Sequence, residues 1–482
     1  MSVVESTIST TRGSFLMGSL INKSVHITNY YHKNSGGIST SYDNLLEAAE
    51  RHKRYVRLIV PGETEEVEDV NPYARIYYVP ARRSPVFDKR YRVIMPWQYM
   101  LHDTLIRRIL LAEQPDMIEV TDKYTLSLLG LMIRSGNFRK LGRPMLVHFS
   151  CERMDDNISS FLIGGPISRS IARFVMRNYN FPIFDFHIAN SEYTADEFHT
   201  AVARPDGEPR TGWLLNKAWR LVKAPRVPHT ERIFVCPRGV DIDQYDPSHR
   251  ARDSRNAMLA GMNIPSTATV LLYAGRLSPE KNVGLLADLL KKLAADPERD
   301  YRLLVAGAGP KAQWLEEQGD RYAEGRIVML GHLPKEKLAH LYANSDIFVH
   351  PNPREPFGIA PLEAMASGIP TIAPNAGGVL SYANSENAWL AEPDAGSFAA
   401  AVRDIVSDQA ARDKKVRNAL DTARHNTREM STDRLMATYD KMYHEFLNHN
   451  DLYTDREAAR GFNYAEVIKL ASAATLSSLI SP

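Results

Sequence analysis

Two glutamates lie seven residues apart, on either side of a glycine-containing turn, in the segment EPFGIAPLEAMASG. Glu355 precedes the turn and Glu363 lies in the helix predicted to follow it. The free N–H groups of Phe357, Gly358 and Ile359 would lie at the start of that helix, where backbone amides bind anions. A carboxylate accepts hydrogen bonds from hydroxyl groups. The pattern therefore predicts a ligand that carries both an anion and hydroxyls, as a nucleotide sugar does; the alternative is an ordinary turn with solvated glutamates.

Two cations form a second candidate group. The strand TVLLYAG runs into Gly275, and Arg276 and Lys281 follow it in the loop GRLSPEK. In an open α/β sheet, ligands bind at the carboxyl ends of the strands. Cations at that edge would stabilise the negative charge that develops on a departing diphosphate. The alternative is a solvated turn.

The elements that must position these residues form two series of short β-branched runs, each alternating with amphipathic helical stretches. The first series contains VHITNYY, RLIVPG, DMIEV, MLVHF and FHIAN, and the second contains TVLLYAG, YRLLVAGAG, RIVMLG, DIFVHP and PTIAP. This alternation predicts parallel α/β sheets. The fold class is therefore α/β, with two doubly wound, Rossmann-like domains facing each other across a cleft.

Four regions are predicted along the chain. Residues 1–20 are a disordered start that is rich in Ser and Thr, and residues 21–245 are the N-terminal domain. Residues 246–430 are the C-terminal domain, and residues 431–482 are C-terminal helices that can pack back on the N-terminal domain. The segment 201–230 lacks a clean period and is interpreted as a surface excursion.

Composition excludes several classes of protein. The 482 residues are 44% hydrophobic and 24% charged, with a formal net charge of +2, which gives no whole-chain field for nucleic acid. Cys151 and Cys236 have neither zinc-site nor disulfide spacing and favour the reducing cytoplasm. The short apolar run LMGSLI is too short to be a signal-peptide core or a membrane span.

The segments EPFGIAPLEAMASGIPTIAPNAGG and AGRLSPEKN resemble the signatures of family 4 retaining glycosyltransferases, the group 1 glycosyl transferases, which have the GT-B fold. Supporting segments are VAGAGP, LGHLP, IANSEYTADEF and RGVDIDQYDP. The resemblance spans roughly residues 22–445 and is weakest over 60–110. It implies transfer of a sugar from a nucleotide diphosphate donor with retention of anomeric configuration.

The resemblance also implies roles for the residues of the C-terminal half. Glu363 is expected to bind the donor ribose and Glu355 the transferred sugar, while Arg276 and Lys281 bind the diphosphate. The remaining donor-binding candidates lie in three turns. They are Gly275, Gly331, His332, Leu333, Phe357, Gly358 and Ile359. The turn from Gly331 to Pro334 is expected to border the base.

The same resemblance singles out a glycine pair and a histidine in the N-terminal half, and this chain departs from it at one further position. Gly36 and Gly37 match the family's donor loop, although a glycine pair before a helix is by itself only a turn signal. His148, at the end of MLVHF, matches the position of a histidine near the sugar; a satisfied structural histidine is the alternative, and Glu152 is a neighbouring candidate. Where many relatives carry Asn before Gly, this chain has Arg238.

No metal and no cofactor are expected. Asp241 and Asp243 superficially resemble a metal-binding carboxylate pair, but they lie in the boundary segment, whose family counterpart is structural, and Arg276 and Lys281 already supply positive charge. The predicted activity is therefore metal-independent. A nucleotide-sugar epimerase or hydrolase, or a noncatalytic scaffold with the same fold, is the competing interpretation.

The sequence indicates the identity of the donor and the acceptor less clearly than the type of reaction. A UDP-sugar is preferred and GDP-mannose comes next, with a lipid, a glycan or a small metabolite as acceptor. Basic clusters in RHKRYVR, RRSPVFDKRYR, RRILL and RSGNFRKLGR suggest peripheral contact with an anionic membrane. The alternative is that these charges are scattered solvated faces.

Overall fold

The computed structural model describes residues 21–31, 37–83, 92–156, 166–204, 210, 212–323 and 325–454. The predicted disordered start, most of the predicted C-terminal helical region (from residue 455), and Gly36 lie outside these residues.

The N-terminal half is built on an eight-stranded sheet with the strand order β10-β9-β8-β7-β1-β2-β4-β3. Neighbouring strands are parallel except for the antiparallel edge pair β3–β4. The strands are β1 Lys23–Ile27, β2 Tyr55–Gly62, β3 Glu66–Asn71, β4 Ala74–Pro80, β7 Met117–Val120, β8 Met145–Ser150, β9 Phe186–Ala189 and β10 Ile233–Val235, and a separate small ribbon pairs β5 Arg82–Arg83 with β6 Arg92–Val93.

The helices of this half lie on both sheet faces, as parallel strands require. They are α1 Gly37–His52, α2 Trp97–Met100, α3 Leu105–Glu113, α4 Ser127–Arg134, α5 Pro166–Val175, α6 Glu192–Val202 and α7 Trp213–Val222, with a π-helical turn Met176–Asn180 and a helical turn Phe181–Ile183 after α5. The 3-10 turns are Arg139–Leu141 and His229–Glu231. On α1, Tyr42, Leu45, Leu46 and Ala49 are buried and Ile38 packs against the same core, as the sequence period predicts.

The C-terminal half is built on a six-stranded, fully parallel sheet with the order β13-β12-β11-β14-β15-β16. Its strands are β11 Thr269–Ala274, β12 Tyr301–Ala306, β13 Ile327–Gly331, β14 Ile347–Val349, β15 Thr371–Pro374 and β16 Trp389–Ala391. Its helices are α8 Arg252–Gly261, α9 Gly284–Ala294, α10 Ala312–Tyr322, α11 Lys335–Asn344, α12 Ile359–Ala366, α13 Ala395–Ser407 and α14 Gln409–Arg424, with 3-10 turns at Pro247–His249, Pro279–Lys281 and Gly378–Ser381.

The chain then returns to the first half. Helix α15 Arg428–Asn448 and the short α16 Asn450–Tyr453 pack on the N-terminal sheet. Met436, Tyr439 and Phe446 of α15 are buried in one apolar cluster together with Val56 of the second strand. The first sheet is therefore covered in part by the last helices of the chain.

The two crossings between the halves lie side by side. Val240 pairs with Thr427 in a parallel bridge, and hydrogen bonds of 2.9 Å join the Val240 backbone to Asn426 and Arg428. A Cβ atom on Gly239 would lie 2.0 Å from the Thr427 carbonyl oxygen, so this close approach requires glycine. The predicted boundaries at 245/246 and 430/431 fall a few residues from these crossings and stay predictions.

Two features differ from the sequence interpretation. The stretch WLLNKAWRLV, interpreted as an irregular excursion, forms α7, which packs on the π-helical turn through a hydrogen bond from Trp219 Nε1 to the Arg177 carbonyl at 3.0 Å. Its period was obscured because Trp213 is exposed on the outer face. The sequence analysis also missed β3, β4, β10 and β16, which are edge or next-to-edge strands.

Candidate active site

The segment between Glu355 and Glu363 folds as a turn that opens a helix. Gly358 has φ 84°, a conformation that favours glycine, and α12 begins at the next residue, Ile359. The Tyr382 hydroxyl donates a hydrogen bond to the Gly358 carbonyl, and the Phe357 ring packs 5.2 Å from the Tyr382 ring. The N-terminus of α12 is thereby held at the edge of the sheet.

Two glycines after β15 support this turn from behind. The Gly378 N–H donates to the Glu355 carbonyl at 2.7 Å, and a Cβ atom on Gly378 would lie 2.0 Å from the Pro356 carbonyl oxygen. A Cβ on Gly377, where φ is 81°, would lie 2.7 Å from the Pro353 carbonyl oxygen. These contacts explain why the segment NAGG accompanies EPFG in this chain.

Glu355 is held by three polar neighbours. Lys281 Nζ donates to both carboxylate oxygens, at 3.0 and 2.8 Å, and Asn352 Nδ2 donates to Oε2 at 2.9 Å. His350 Nε2 lies 3.7 Å from the same oxygen. Burial alone raises the pKa of this carboxyl, but the charge of Lys281, with His350 and the hydrogen bonds, outweighs burial and holds the pKa at about 2. Glu355 is therefore ionised throughout the physiological range.

Glu363 has a different environment. Burial raises its pKa to about 7, against the opposing effect of hydrogen bonds from Tyr342 and Tyr245. The Tyr342 hydroxyl lies 3.0 Å from Oε2. Tyr245 lies shortly after Val240, in the segment that connects the two halves, and was not predicted to lie at the site. The two glutamates therefore differ in charge state near neutral pH, a difference that spacing alone does not reveal.

The cation loop lies against a second glycine turn. A Cβ atom on Gly307 would lie 1.8 Å from the Gly275 carbonyl oxygen, and one on Gly309 would lie 2.2 Å from the Leu277 carbonyl oxygen. Arg276 is exposed at this edge, whereas the Lys281 side chain is 27% exposed beside Glu355. The structure therefore brings Lys281 to Glu355 and leaves Arg276 on the open side of the loop.

The predicted base-binding turn follows β13. Gly331 ends the strand with φ 66°, His332 is exposed, and Leu333 is partly buried against the same apolar cluster as Ile359. Contact between these residues and a base stays a prediction.

The N-terminal half reaches this site at Gly37, where α1 begins. A Cβ atom built there would lie 3.0 Å from Arg238 Nη1 and 3.9 Å from Ile359 Cγ2. Three parts of the chain therefore meet at one point. They are the predicted donor loop, the segment around Arg238 that connects the two halves, and the N-terminus of α12.

A second contact across the cleft was missed by the sequence analysis. The Ser191 and Thr194 hydroxyls, at the start of α6, both donate to the Pro356 carbonyl of the EPFG turn, Thr194 at 3.2 Å. Ser191 also caps α6, since its oxygen accepts from the Thr194 N–H at 3.1 Å. The only signal in the sequence was the family segment IANSEYTADEF.

His148 is a correction. It is 0% exposed, with its ring packed 5.2 Å from Phe184 and 5.8 Å from Phe198, and its Nδ1 lies 3.4 Å from His187 Nδ1. Burial lowers its pKa well below the usual value. This placement contradicts the expected contact with a sugar, because the side chain points into the aromatic core beside β8. The residues after that strand, Cys151 and Glu152, lie nearer the cleft: Cys151 contacts Arg238, and Glu152 Oε1 accepts a hydrogen bond from Tyr30.

Asp241 has a structural role at the crossing. Its Oδ1 accepts backbone hydrogen bonds from Asp243 and Gln244 at 3.2 and 3.1 Å, and its Oδ2 lies 3.1 Å from Arg428. Within the described ranges, no group of three or more His, Cys, Asp or Glu side chains is placed to hold a metal ion.

Comparison with solved structures identifies the class of protein. HepE from Anabaena, in complex with UDP and glucose, superposes with a TM-score of 0.62 at 16% identity, over 87% of this chain and 99% of that one. Sucrose-phosphate synthase from Thermosynechococcus elongatus gives 0.63 at 19% identity, over 88% and 100%. At these identities the likeness shows the fold, which is GT-B.

Comparison of sequences then gives the family. Residues 254–422 match the family described as "Glycosyl transferases group 1", and residues 36–208 match the "Glycosyl transferase 4-like domain". A GDP-mannose-dependent alpha-(1-6)-phosphatidylinositol dimannoside mannosyltransferase from Mycobacterium tuberculosis is 29% identical over 385 residues, 80% of this chain and 87% of that protein. The chain belongs to the group 1, family 4 glycosyltransferases and is a nucleotide-sugar glycosyltransferase.

Proposed function

We propose that this enzyme transfers a sugar from a nucleoside diphosphate sugar with retention of configuration and without a metal ion. The main supporting observation is the partly buried ion pair of Lys281 and Glu355 beyond the carboxyl end of β11. On the adjoining helix α12 lies the more weakly acidic Glu363, which two tyrosines hold by hydrogen bonds. This arrangement supplies a cation, a permanent carboxylate and a second acceptor to one ligand.

Each group has a distinct task in the proposal. Two donors of the Lys281 ammonium bind Glu355, and the third is directed to a phosphate oxygen of the leaving group. Arg276, exposed on the same loop, closes over the diphosphate. The negative charge on the diphosphate increases as the glycosidic bond breaks. Lys281 and Arg276 therefore stabilise the transition state more than the ground state.

The carboxylates orient the donor. Glu355 accepts hydrogen bonds from hydroxyls of the transferred sugar, and Glu363 accepts them from the ribose. The acceptor attacks on the face that the diphosphate leaves, and a leaving-group oxygen takes its proton, so no protein nucleophile is required. The contact of Ser191 and Thr194 with Pro356 closes the cleft and excludes water that would hydrolyse the donor.

GDP-mannose is the first donor to test, and UDP-sugars come second. The order differs from the sequence expectation because the mannosyltransferase aligned over 80% of this chain is described as GDP-mannose-dependent. The acceptor remains a lipid, a glycan or a small metabolite. Epimerase, hydrolase and scaffold functions are disfavoured since Arg276, Lys281, Glu355 and Glu363 are all present.

One experiment tests the proposal. The purified enzyme is incubated with GDP-mannose or a UDP-sugar and with lipid, glycan or small-metabolite acceptors, with and without EDTA, and the first-formed product is examined by proton NMR. We expect the donor's anomeric configuration in the product and full activity in EDTA. An inverted centre would reject the mechanism, and activity restored only by magnesium or manganese would reject metal independence.

Some cations of the basic clusters predicted to face a membrane are used inside the protein, whereas Arg51, Lys53, Arg139 and Lys140 are exposed. Arg54 pairs with Asp440 of α15, and Arg57 pairs with Glu113 at 3.1 Å. Arg134 Nη1 lies 2.8 Å from Asp185. These side chains are not available to lipid headgroups, and most of the cluster RRSPVFDKRYR lies outside the described residues. Within the described part of the chain, no helix has the length and apolarity of a membrane span.

We place the proposed membrane contact instead on α5 and α7. Ile171, Phe174 and Trp213 are 47%, 46% and 73% exposed, and neither helix contains an acidic residue. Cations accompany the exposed apolar side chains on each helix, namely Arg169 and Arg173 on α5 and Lys217 and Arg220 on α7. Exposed aromatic and aliphatic side chains beside cations are the composition of helices that lie in a membrane interface.

Sedimentation with vesicles tests this surface. Replacement of Phe174 and Trp213 by Ser is expected to abolish binding to phosphatidylglycerol vesicles, while phosphatidylcholine vesicles bind neither protein. The matched control replaces Val67 and Val70, which are 51% and 40% exposed on the acidic strand β3. Equal binding by both double variants and the wild type would remove the proposal.

A further inference from the structure

Arg238 lies where three segments of the cleft converge. Its Nη1 is 3.0 Å, and Ile359 Cγ2 is 3.9 Å, from the position that a Cβ atom on Gly37 would occupy. Gly37 is the first residue of α1, and Ile359 is the first residue of α12. The guanidinium therefore lies beside both walls of the cleft.

This cation has no carboxylate partner among the described residues. Its Nη2 donates to the Cys151 sulfur at 3.1 Å, and its Nε is buried without a hydrogen-bond partner. The neighbouring buried carboxylate, Glu119, is already engaged by His26 at 3.0 Å and by the hydroxyls of Tyr42 and Tyr439. A guanidinium left with a thiol as its side-chain acceptor lacks the charge compensation that a partly buried cation requires.

The surroundings add to the positive potential. Helices α1 and α12 both direct their N-terminal ends to this region, and neither has an acidic residue in its first turn. A helix N-terminus carries partial positive charge and unpaired N–H groups. Two such termini with a cation between them form a site that is completed by an anion.

We propose that Arg238 binds the sugar-proximal phosphate of the donor and stabilises the diphosphate as it leaves. This assignment rests on the proposed function. It adds a cation from the crossing segment to Arg276 and Lys281, which approach from the C-terminal half. An arginine is suited to this task because its planar fork binds two phosphate oxygens at once.

Arg238 also lies directly before the residues that connect the two halves of the chain. The next two residues, Gly239 and Val240, are fixed against residues 426–428 by the paired crossings. A phosphate bound by Arg238 is therefore connected to the segment that joins the two halves. Binding of the diphosphate holds the cleft closed while the bond breaks.

Isothermal titration calorimetry on the full chain tests the assignment with UDP and GDP compared with UMP and GMP. Arg238→Gln is expected to weaken binding of the preferred nucleoside diphosphate by about ten- to a hundredfold and to change binding of the monophosphate less than twofold. Arg238→Lys, which keeps the charge, is expected to retain most of the affinity. Arg434→Gln, an exposed arginine on α15, is the matched control and is expected to bind as the wild type does.

The outcomes distinguish failure of the proposed function from failure of the role assigned to Arg238. If the wild type binds neither diphosphate, the proposed function fails and the role of Arg238 fails with it. If the wild type binds but Arg238→Gln and Arg238→Lys bind both diphosphate and monophosphate normally, the role of Arg238 alone is wrong. Thermal melting of each variant checks folding. If Arg238→Gln does not fold, Arg238→Asn, which restores the residue that many relatives carry, takes its place with the same expectations.

Discussion

Lys281 and Glu355 form a two-pronged ion pair, with Nζ 3.0 and 2.8 Å from the two carboxylate oxygens. The pair joins the loop after β11 to the turn before α12, across 74 positions of sequence. Because the Glu355 side chain is 15% exposed, its charge needs this partner in the folded protein. Lys281 therefore supports the site as well as the leaving group, whereas Arg276 is exposed and is assigned only the second task.

The first prediction separates these tasks. Arg276→Ala and Lys281→Ala are each expected to lower kcat roughly a hundredfold or more, as loss of one preorganised stabiliser does. Lys281→Ala is also expected to lower the melting temperature, because it leaves the mostly buried Glu355 carboxylate without its lysine partner. Steady-state kinetics and calorimetry measure the two effects. The division is wrong if both variants melt at the same temperature, and near-normal turnover in both would show that other groups hold the leaving group.

The second prediction concerns Glu363, whose pKa is raised to about 7, chiefly by burial. Ribose hydroxyls donate to the ionised form, so nucleotide affinity is expected to fall about tenfold between pH 8 and pH 6. Glu363→Gln is expected to bind more weakly and to lose this part of the pH dependence. The titration of the nucleotide's own phosphate is common to both proteins, so the difference between their affinity profiles isolates Glu363. Parallel profiles would contradict the assignment.

The same pKa has a consequence for stability of the ligand-free protein. A carboxyl whose folded-state pKa lies above its ordinary value of 4.5 binds its proton more tightly in the folded state. The contribution of Glu363 to the free energy of unfolding therefore falls as pH rises from about 4.5 to about 7 and is constant above that range. Melting temperatures of the wild type and of Glu363→Gln at pH 5 and pH 8 measure this contribution. From pH 5 to pH 8, the melting temperature of the wild type is expected to fall relative to that of Glu363→Gln.

The third prediction tests closure of the cleft. Thr194→Val removes a hydrogen bond to the Pro356 carbonyl, together with the bond to Asn190 Oδ1 at 2.8 Å, and keeps the side-chain shape. We expect a several-fold rise in the donor KM and a larger share of donor hydrolysed rather than transferred, because the closed state is less populated. Thr200→Val is the control, since the Thr200 hydroxyl on the same helix bonds only to the carbonyls of Asp196 and Glu197. An unchanged ratio of hydrolysis to transfer in Thr194→Val would argue against a closing role.

The fourth prediction concerns the glycine that supports the EPFG turn. Gly378→Ala would place a Cβ atom 2.0 Å from the Pro356 carbonyl oxygen, so the turn has to move. We expect loss of donor binding and a lower melting temperature. Gly261→Ala, at the end of α8 with nothing within 4 Å of the added atom, serves as the control and is expected to leave both properties unchanged. Wild-type donor binding by Gly378→Ala would show that the turn tolerates displacement.

The main elements of both sheets were predictable because parallel strands buried on two faces give continuous apolar runs, such as TVLLYAG. Three of the strands that escaped prediction have weak patterns: β3 is exposed at the sheet edge and contains three acidic residues, and β10 and β16 have three residues each. Helix α7 was missed for a different reason. Its large apolar residue Trp213 is exposed, so the sequence does not divide into one apolar and one polar face.

The candidate site was predictable where its residues share one segment, as Glu355 and Glu363 do. The missed residues depend on contacts between distant segments. Tyr245 reaches Glu363 from the crossing, and Ser191 reaches Pro356 from the other half of the chain. His148 was misplaced because an approximate alignment at the end of a strand does not tell which face the side chain occupies. A shift of one residue reverses the face.

The return of α15 to the first sheet affects the order in which the halves fold during synthesis. Glu119 of β7 is hydrogen-bonded to Tyr439, which the ribosome adds 320 residues later. The C-terminal sheet needs no such late partner, because its strands and α14 all precede residue 425. The half that is translated second can therefore complete its core first, while the first-made half waits with the α15-covered face of its sheet open to chaperones. A chain released from the ribosome after residue 427 would carry a complete C-terminal half attached to an N-terminal half that lacks α15.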